Sequence, residues 1–196
     1  VKGLVSRFLL LAAILCLGAC GGSSPSKPRD FTPLAFDYMT QIRLNVASVD
    51  VENRFVPGPG DVGNLSPVQP VMALRQMGND RLKSFGTSGR AVLVIKDASI
   101  VRGRDELTGR MAVELDIYTS DNQRAAFATA EVLQRRAGEI TDLRGDLYDL
   151  TKAMMDRMNV ELEFQARRSL RDWLLPDVPA VEKVNVQQQD LAPPKR

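Results

Sequence analysis

Residues 91–95 read Ala91-Val92-Leu93-Val94-Ile95, the most β-prone run of the chain. Branched side chains fill a pleated surface well. An uninterrupted apolar run predicts a strand buried on both faces, hence a central one. The strand predicted around it spans Arg90 to Val101, and Gly103 to Thr108 forms a charged turn. From Gly109 to Tyr118 the pattern alternates, with Met111, Val113, Leu115 and Ile117 on one face and Glu114 and Asp116 on the other. Ser120-Asp121-Asn122-Gln123 has the composition of a hairpin turn. A further strand is predicted from Arg124 to Arg135, with Ala126, Ala128, Ala130 and Val132 along one face. Such small side chains let a helix approach closely. Three strands joined by short turns predict an antiparallel meander.

Working outward, the longest periodic signal lies downstream. Leu143, Leu147, Leu150, Met154, Met158, Leu162, Ala166, Leu170 and Trp173 recur at steps of three and four. This predicts an amphipathic helix from about Asp142 to Leu175, capped by Thr141 or Asp142 and stopped by Pro176. It would be roughly 50 Å long, more than the sheet can cover, so its end should kink or project. Upstream, Val71, Leu74, Gly78, Leu82 and Phe85 predict a shorter helix from Pro70 to Phe85, stopped by Gly86. Before it, Phe55 to Gln69 carries Pro57-Gly58-Pro59-Gly60 and reads as a long loop. Ile42 to Glu52 alternates but changes phase near Ala47-Ser48, which predicts one strand bent by a bulge.

The element order is β-α-β-β-β-α. Both helices must bury an apolar stripe, and the sheet offers one apolar face. The expected fold class is α+β: a two-layer sandwich with a four-stranded, mostly antiparallel sheet, two helices on one face and a long C-terminal helix. The single domain is expected over 42–175, followed by a polar, proline-bearing tail over 176–196 that reads as disordered.

Composition narrows the chemistry. The chain has no histidine, which removes the commonest general base and metal ligand. Of its two cysteines, Cys16 and Cys20, neither lies within the expected domain. Hydrolases built on Ser-His-Asp, Cys-His or zinc-histidine sites are therefore excluded. Lys and Arg number 26 against 24 Asp and Glu; without Lys2 and Arg7 the balance is 24 to 24. That neutrality leaves no electrostatic footprint for nucleic acid.

The first twenty residues carry the clearest functional signal. Lys2 and Arg7 make a cationic start, and Phe8 to Leu17 is uncharged and apolar. At about 10 residues the run is half of what a spanning helix needs, and it suits a signal h-region. It closes on Leu17-Gly18-Ala19-Cys20. This tetrapeptide resembles the lipobox of bacterial lipoproteins: a branched apolar residue, two small residues, then cysteine. The resemblance implies a leader over 1–19, cleavage before Cys20, and diacylglycerol carried on the Cys20 thiol with a further acyl chain such as palmitate. An ordinary secretory signal would leave the cysteine at the cleavage position unexplained. Gly21 to Asp30 is a Gly/Ser/Pro-rich stretch with no apolar side chain, and Phe31 to Gln41 carries a few apolar residues without a period, so 20–41 reads as the acylated cysteine and a flexible tether whose end packs onto the domain. Gly21 stands where lipoproteins retained at the inner membrane tend to carry Asp, which favours the periplasmic face of the outer membrane, with the inner membrane still open.

The β-α-β-β-β-α order behind a lipobox also resembles small envelope-transport lipoproteins. These are the lipopolysaccharide-assembly lipoprotein that plugs a β-barrel and the auxiliary lipoproteins of ABC-type lipid transporters. The resemblance covers Ile42 to Leu175 in element order. It implies a non-enzymatic accessory component with two partners: membrane lipid through acylated Cys20, and an envelope protein, either a β-barrel or an ABC transporter component. No nucleic acid, metal or cofactor beyond the covalent lipid is expected. A peptidoglycan- or synthase-binding adaptor would use the same anchor, and an unknown hydrolase would need converging carboxylates.

Other candidate sites are weaker. Gly58 to Gly63 lacks the lysine and hydroxyl of a phosphate loop. Asp97, Asp105, Glu106, Asp116 and Asp121 flank turns, where solvated charge is the ordinary reading. Met154, Met155 and Met158 suit helix core better than an adaptable groove. Arg167, Arg168, Arg171 and Trp173 close the long helix and form the expected contact surface for a partner or a lipid headgroup, because Arg and Trp are enriched at interface hot spots. The Phe55–Gln69 loop is the second candidate.

Overall fold

The computed structural model describes residues 29–176; the leader, the lipobox with Cys20 and the tail from 177 onward lie outside the described residues. The chain separates into two units, Val1–Asp30 and Phe31–Arg196, and the elements described all belong to the second. In chain order they are β1 (Ile42–Leu44), β2 (Ser48–Asn53), a 3-10 turn (Gly63–Leu65), α1 (Pro70–Arg81), β3 (Leu82–Ser84), β4 (Arg90–Arg102), β5 (Glu106–Tyr118), β6 (Arg124–Ala137), α2 (Leu143–Ser169) and a second 3-10 turn (Arg171–Trp173). One sheet has the order β2-β4-β5-β6, and β1 pairs with β3 in a second, two-stranded sheet. The β4-β5 and β5-β6 pairs are antiparallel and β2-β4 is parallel. The α+β class, the meander and the four-stranded sheet are thus as the alternation predicts.

Both helices lie on one face of the sheet because glycines let them approach. A Cβ on Gly78 of α1 would come within 2.8 Å of Val51 and 2.9 Å of Leu93. A Cβ on Gly109 of β5 would come within 2.5 Å of Met154 Sδ on α2. Leu93 pairs with Leu115, which shares its face with Gly109, so the two helices cover the same side. The α2 stripe is buried as its period requires: Leu147, Leu150, Met154, Met158, Leu162, Ala166 and Leu170 all lie in the core, as does Met155. The Asp142 carboxylate caps the helix by accepting from the Gly145 N–H at 3.0 Å.

Among the described residues, the central strand is covered on its outer face by charge rather than by a further layer. Val92 and Val94 are buried there, opposite Asp116 and Glu114 on β5. Arg124 pairs with Asp116 and Glu114, Lys96 with Glu114, and Arg110 with Asp97 and Glu131. The aliphatic stems of such side chains screen the valines while their heads stay in water.

Three expectations are corrected. The phase change near Ala47 marks a change of sheet, not a bulge: β1 pairs with β3 and β2 with β4. Between the two strands, Gly86 comes so close that a Cβ there would lie 2.5 Å from the Asn45 carbonyl carbon. The first helix ends at Arg81 rather than Phe85, since Leu82 turns extended to pair with Ile42. Gly86 therefore plays no part in stopping it, and Phe85 is exposed beneath the Arg43 guanidinium.

The long helix ends at Ser169, and its C-terminal end does not project. The Asn45 N–H donates to the Trp173 carbonyl and the Leu175 N–H to the Arg43 carbonyl. The chain after the helix thereby satisfies the open edge of β1, which would otherwise hold unpaired backbone groups. The stretch from Phe31 to Gln41, read as the end of the tether packing onto the domain, does pack there. Phe36 is buried and donates its N–H to the Asp80 carboxylate, and the Tyr148 hydroxyl donates to the Thr32 carbonyl.

Candidate functional site

The expected contact cluster at the end of α2 is divided by the fold. Arg167 pairs with Glu163 at 3.0 Å, while Arg168 and Arg171 are exposed. Trp173 is half-buried and packs against the core, and its backbone is held by β1. Arginine and tryptophan therefore do not form one open surface.

The second candidate, Phe55–Gln69, is an ordered cradle rather than a slack loop. Asp61 Oδ1 accepts from the Gly63 N–H at 2.8 Å and the Ile100 N–H at 3.1 Å. The Val62 N–H donates to the Ile100 carbonyl at 2.8 Å. An aspartate that closes a turn on itself and also binds the neighbouring strand fixes the segment to β4. Ser66 is buried, with its hydroxyl 3.5 Å from that of Thr151 on α2.

This pinned segment leaves two adjoining depressions. The first is a cleft of about 170 Å³ whose lining includes Phe55, Pro57, Asp61, Asn64, Val71 and Ala98. The second is a shallower groove of about 560 Å³ whose lining includes Phe31, Leu34, Pro67, Val68, Met72 and Gln76. Gln69 borders both. Leu65 is 50% and Met72 55% exposed, although both are apolar. Walls that are mostly apolar, with a few amides and one carboxylate, suit an apolar ligand segment or side chain fixed by a few polar contacts. The sequence reading missed the contribution of Phe31 and Leu34, because apolar residues without a period carry no signal of where they pack. Met72 lies off the predicted helix face, and an exposed methionine there was the one available hint.

The perturbed charges do not form a proton-transfer pair. The Glu131 carboxyl is held below its ordinary value, first by the hydrogen bond from Arg110. The same bond holds the Arg110 guanidinium above its own ordinary value. Each group is pushed further into its charged form, the reverse of what acid–base exchange near neutrality requires. Among the described residues, no cluster of three or more Asp, Glu, His or Cys could hold a metal ion.

No protein-family model matches the chain, and no curated protein does. Among solved structures it is similar to a minor lipoprotein from Acinetobacter baumannii. That match is 15% identical, covers 62% of this chain and 94% of the other, and has a TM-score of 0.33. It is also similar to a Caulobacter crescentus protein provisionally described as a lipoprotein. Here identity is 16%, coverage is 59% of this chain and 84% of the other, and the TM-score is 0.32.

Proposed function

We propose that this chain is a lipid-anchored lipoprotein of the bacterial envelope. It acts without catalysis, as an accessory binding component of envelope assembly or of lipid or lipopolysaccharide transport. The observation that carries the reading is Leu17-Gly18-Ala19-Cys20, placed after an uncharged apolar run and before a Gly/Ser/Pro tether. Acyl chains on Cys20 hold the domain at the membrane, on the periplasmic face of the outer membrane. Two or three chains bind far more firmly than one, because each buried methylene adds about 0.8 kcal/mol. No helix of the described residues is long and apolar enough to cross a membrane.

The paired cleft and groove beside Phe31 support a binding role, with an apolar segment of an envelope protein or lipid as the ligand. The partner expected is a β-barrel or an ABC transporter component. Co-purification of the tagged chain from membranes tests this, with Met72→Asp as the groove variant. A barrel or transporter recovered with the parent chain and lost with Met72→Asp is the expected result. Recovery of a peptidoglycan synthase instead would move the function to an adaptor. A partner retained equally by both chains would remove the groove from the account.

A further inference from the structure

β6 ends the four-stranded sheet, and among the described residues no strand pairs with its outer edge. Which of its backbone groups point outward follows from the register. The Gly138 N–H donates to the Asp105 carbonyl and the Gly103 N–H to the Glu106 carbonyl. Bonding direction alternates along an antiparallel strand. With Glu106 opposite Ala137 and Arg110 opposite Leu133, the even-numbered residues of β6 bond inward to β5. Thr129, Glu131, Leu133, Arg135 and Ala137 therefore present N–H and C=O to the open edge. Consistent with this, the Arg157 guanidinium reaches round the edge to donate to the Leu133 carbonyl at 3.2 Å.

We propose that this edge pairs antiparallel with β6 of a second copy of the chain, on a two-fold axis through Leu133. In that register Leu133 faces its own counterpart. Glu131 faces Arg135 of the partner subunit, and Arg135 faces Glu131 of the partner subunit. The neighbouring registers lack this match: an axis through Glu131 opposes two carboxylates, and one through Arg135 opposes two guanidiniums. An axis through Thr129 sets Glu131 against Phe127. Glu131 already pairs with Arg110 and Arg135 with Glu106 within one chain. The dimer extends these into a row of alternating sign: Glu106, Arg135, then Glu131 and Arg110 of the partner subunit. Opposite charges directly across two strands stabilise pairing, and like charges oppose it.

Apolar surface lies on the same flank. Arg157, Val160 and Phe164 share one side of α2, three and four residues apart. Arg157 touches Leu133 and Gln134, so that side lies along the β6 edge. Val160 is 68%, Phe164 56% and Leu133 59% exposed. A symmetric partner covers the same residues on both copies, as an isologous interface requires. On pairing, Arg157 releases the Leu133 carbonyl to the N–H of the partner strand.

The test uses the full chain, expressed with its leader and purified from membranes in detergent. Residues facing across a hydrogen-bonded strand pair have Cα atoms about 5.5 Å apart, within disulfide reach. Leu133→Cys should form a disulfide-linked dimer under mild oxidation, above the background set by the parent chain. Thr129→Cys should not, because the two copies of residue 129 are eight residues out of register, roughly 27 Å apart. Glu131→Arg and Arg135→Glu should each weaken self-association about tenfold by sedimentation. An equimolar mixture of the two variants should recover it, since each then offers the charge the other lacks. A parent chain that remains monomeric at about 100 μM, a hundredfold above a micromolar Kd, would overturn the proposal. So would equal cross-linking at positions 129 and 133, or a mixture that fails to recover.

Discussion

Replacing Arg81 should destabilise the domain more than its position on a helix bordered by polar residues suggests. The side chain is fully buried. Its Nε and one terminal nitrogen donate to the Thr40 carbonyl at 3.2 and 3.0 Å. The other terminal nitrogen donates to the Asn159 carbonyl at 2.9 Å and to Asn159 Oδ1 at 3.2 Å. Glu163 completes the set as an ion pair. One guanidinium thus ties the N-terminal segment, α1 and α2 together. Arg81→Met keeps the apolar stem and removes every donor. Asn159, which is buried, then holds acceptors without their donor, costing about 1–3 kcal/mol, whereas Thr40 is exposed and its carbonyl can turn to water. Glu163 is 29% exposed and still has Arg167, so its loss is small. Burying no charge offsets part of the total. The expected net loss is about 1–3 kcal/mol, or a Tm lower by roughly 3–9 °C for a domain of this size. Arg81→Lys should lose an intermediate amount, because an ammonium cannot span both Thr40 and Asn159 in the guanidinium plane. Thermal unfolding followed by circular dichroism measures both. An Arg81→Met protein that melts within about 2 °C of the parent, less than 1 kcal/mol on the same scale, would refute the reasoning.

Leu150→Asp places a charge in the core and should leave the domain unfolded at ordinary temperature; a cooperative melt near that of the parent would show the α2 stripe facing a partner instead. Gly78→Ala should destabilise by about 1–2 kcal/mol although alanine favours helix, because its Cβ meets Val51 and Leu93; a gain in urea midpoint would mean the helix can lift away. Trp173→Ala should lower stability by about 1–3 kcal/mol and Arg168→Ala by less than about 0.5, separating two residues that the sequence places in one cluster; equal melts would contradict the packing of Trp173. Glu131 has a folded value below its unfolded one, so its contribution is present above about pH 4.5 and is lost as pH falls through the folded value. Its side chain is 56% exposed, so Glu131→Gln should change stability at pH 7 by no more than about 0.5 kcal/mol and slightly flatten the acid limb of a stability–pH curve.

The parts of the fold legible in the sequence are those written in local period. Met111, Val113, Leu115 and Ile117 alternate, and the α2 stripe repeats every third and fourth residue, because burial against one face imposes those spacings. The parts that were not legible depend on partners distant in sequence. Leu82 satisfies a helix stripe and a strand equally well, and only its pairing with Ile42 decides. The end of α2 is set by the backbone of β1, which no local pattern announces. Arg81 falls three residues after Gly78 on the buried side of α1, so an arginine at a stripe position was a visible anomaly. Its acceptors lie 41, 78 and 82 residues away and could not be read. The Phe55–Gln69 segment was legible as a loop, but not as a cradle held by Asp61.

The anchor can be tested by the mass of the N-terminal peptide of the protein recovered from bacterial membranes. The expected peptide begins at Cys20 and carries diacylglycerol on its sulfur, and Cys20→Ser abolishes palmitate incorporation. A peptide that begins elsewhere, or a Cys20 with a free thiol in membrane-bound protein, would contradict the lipid anchor on which the proposed function rests.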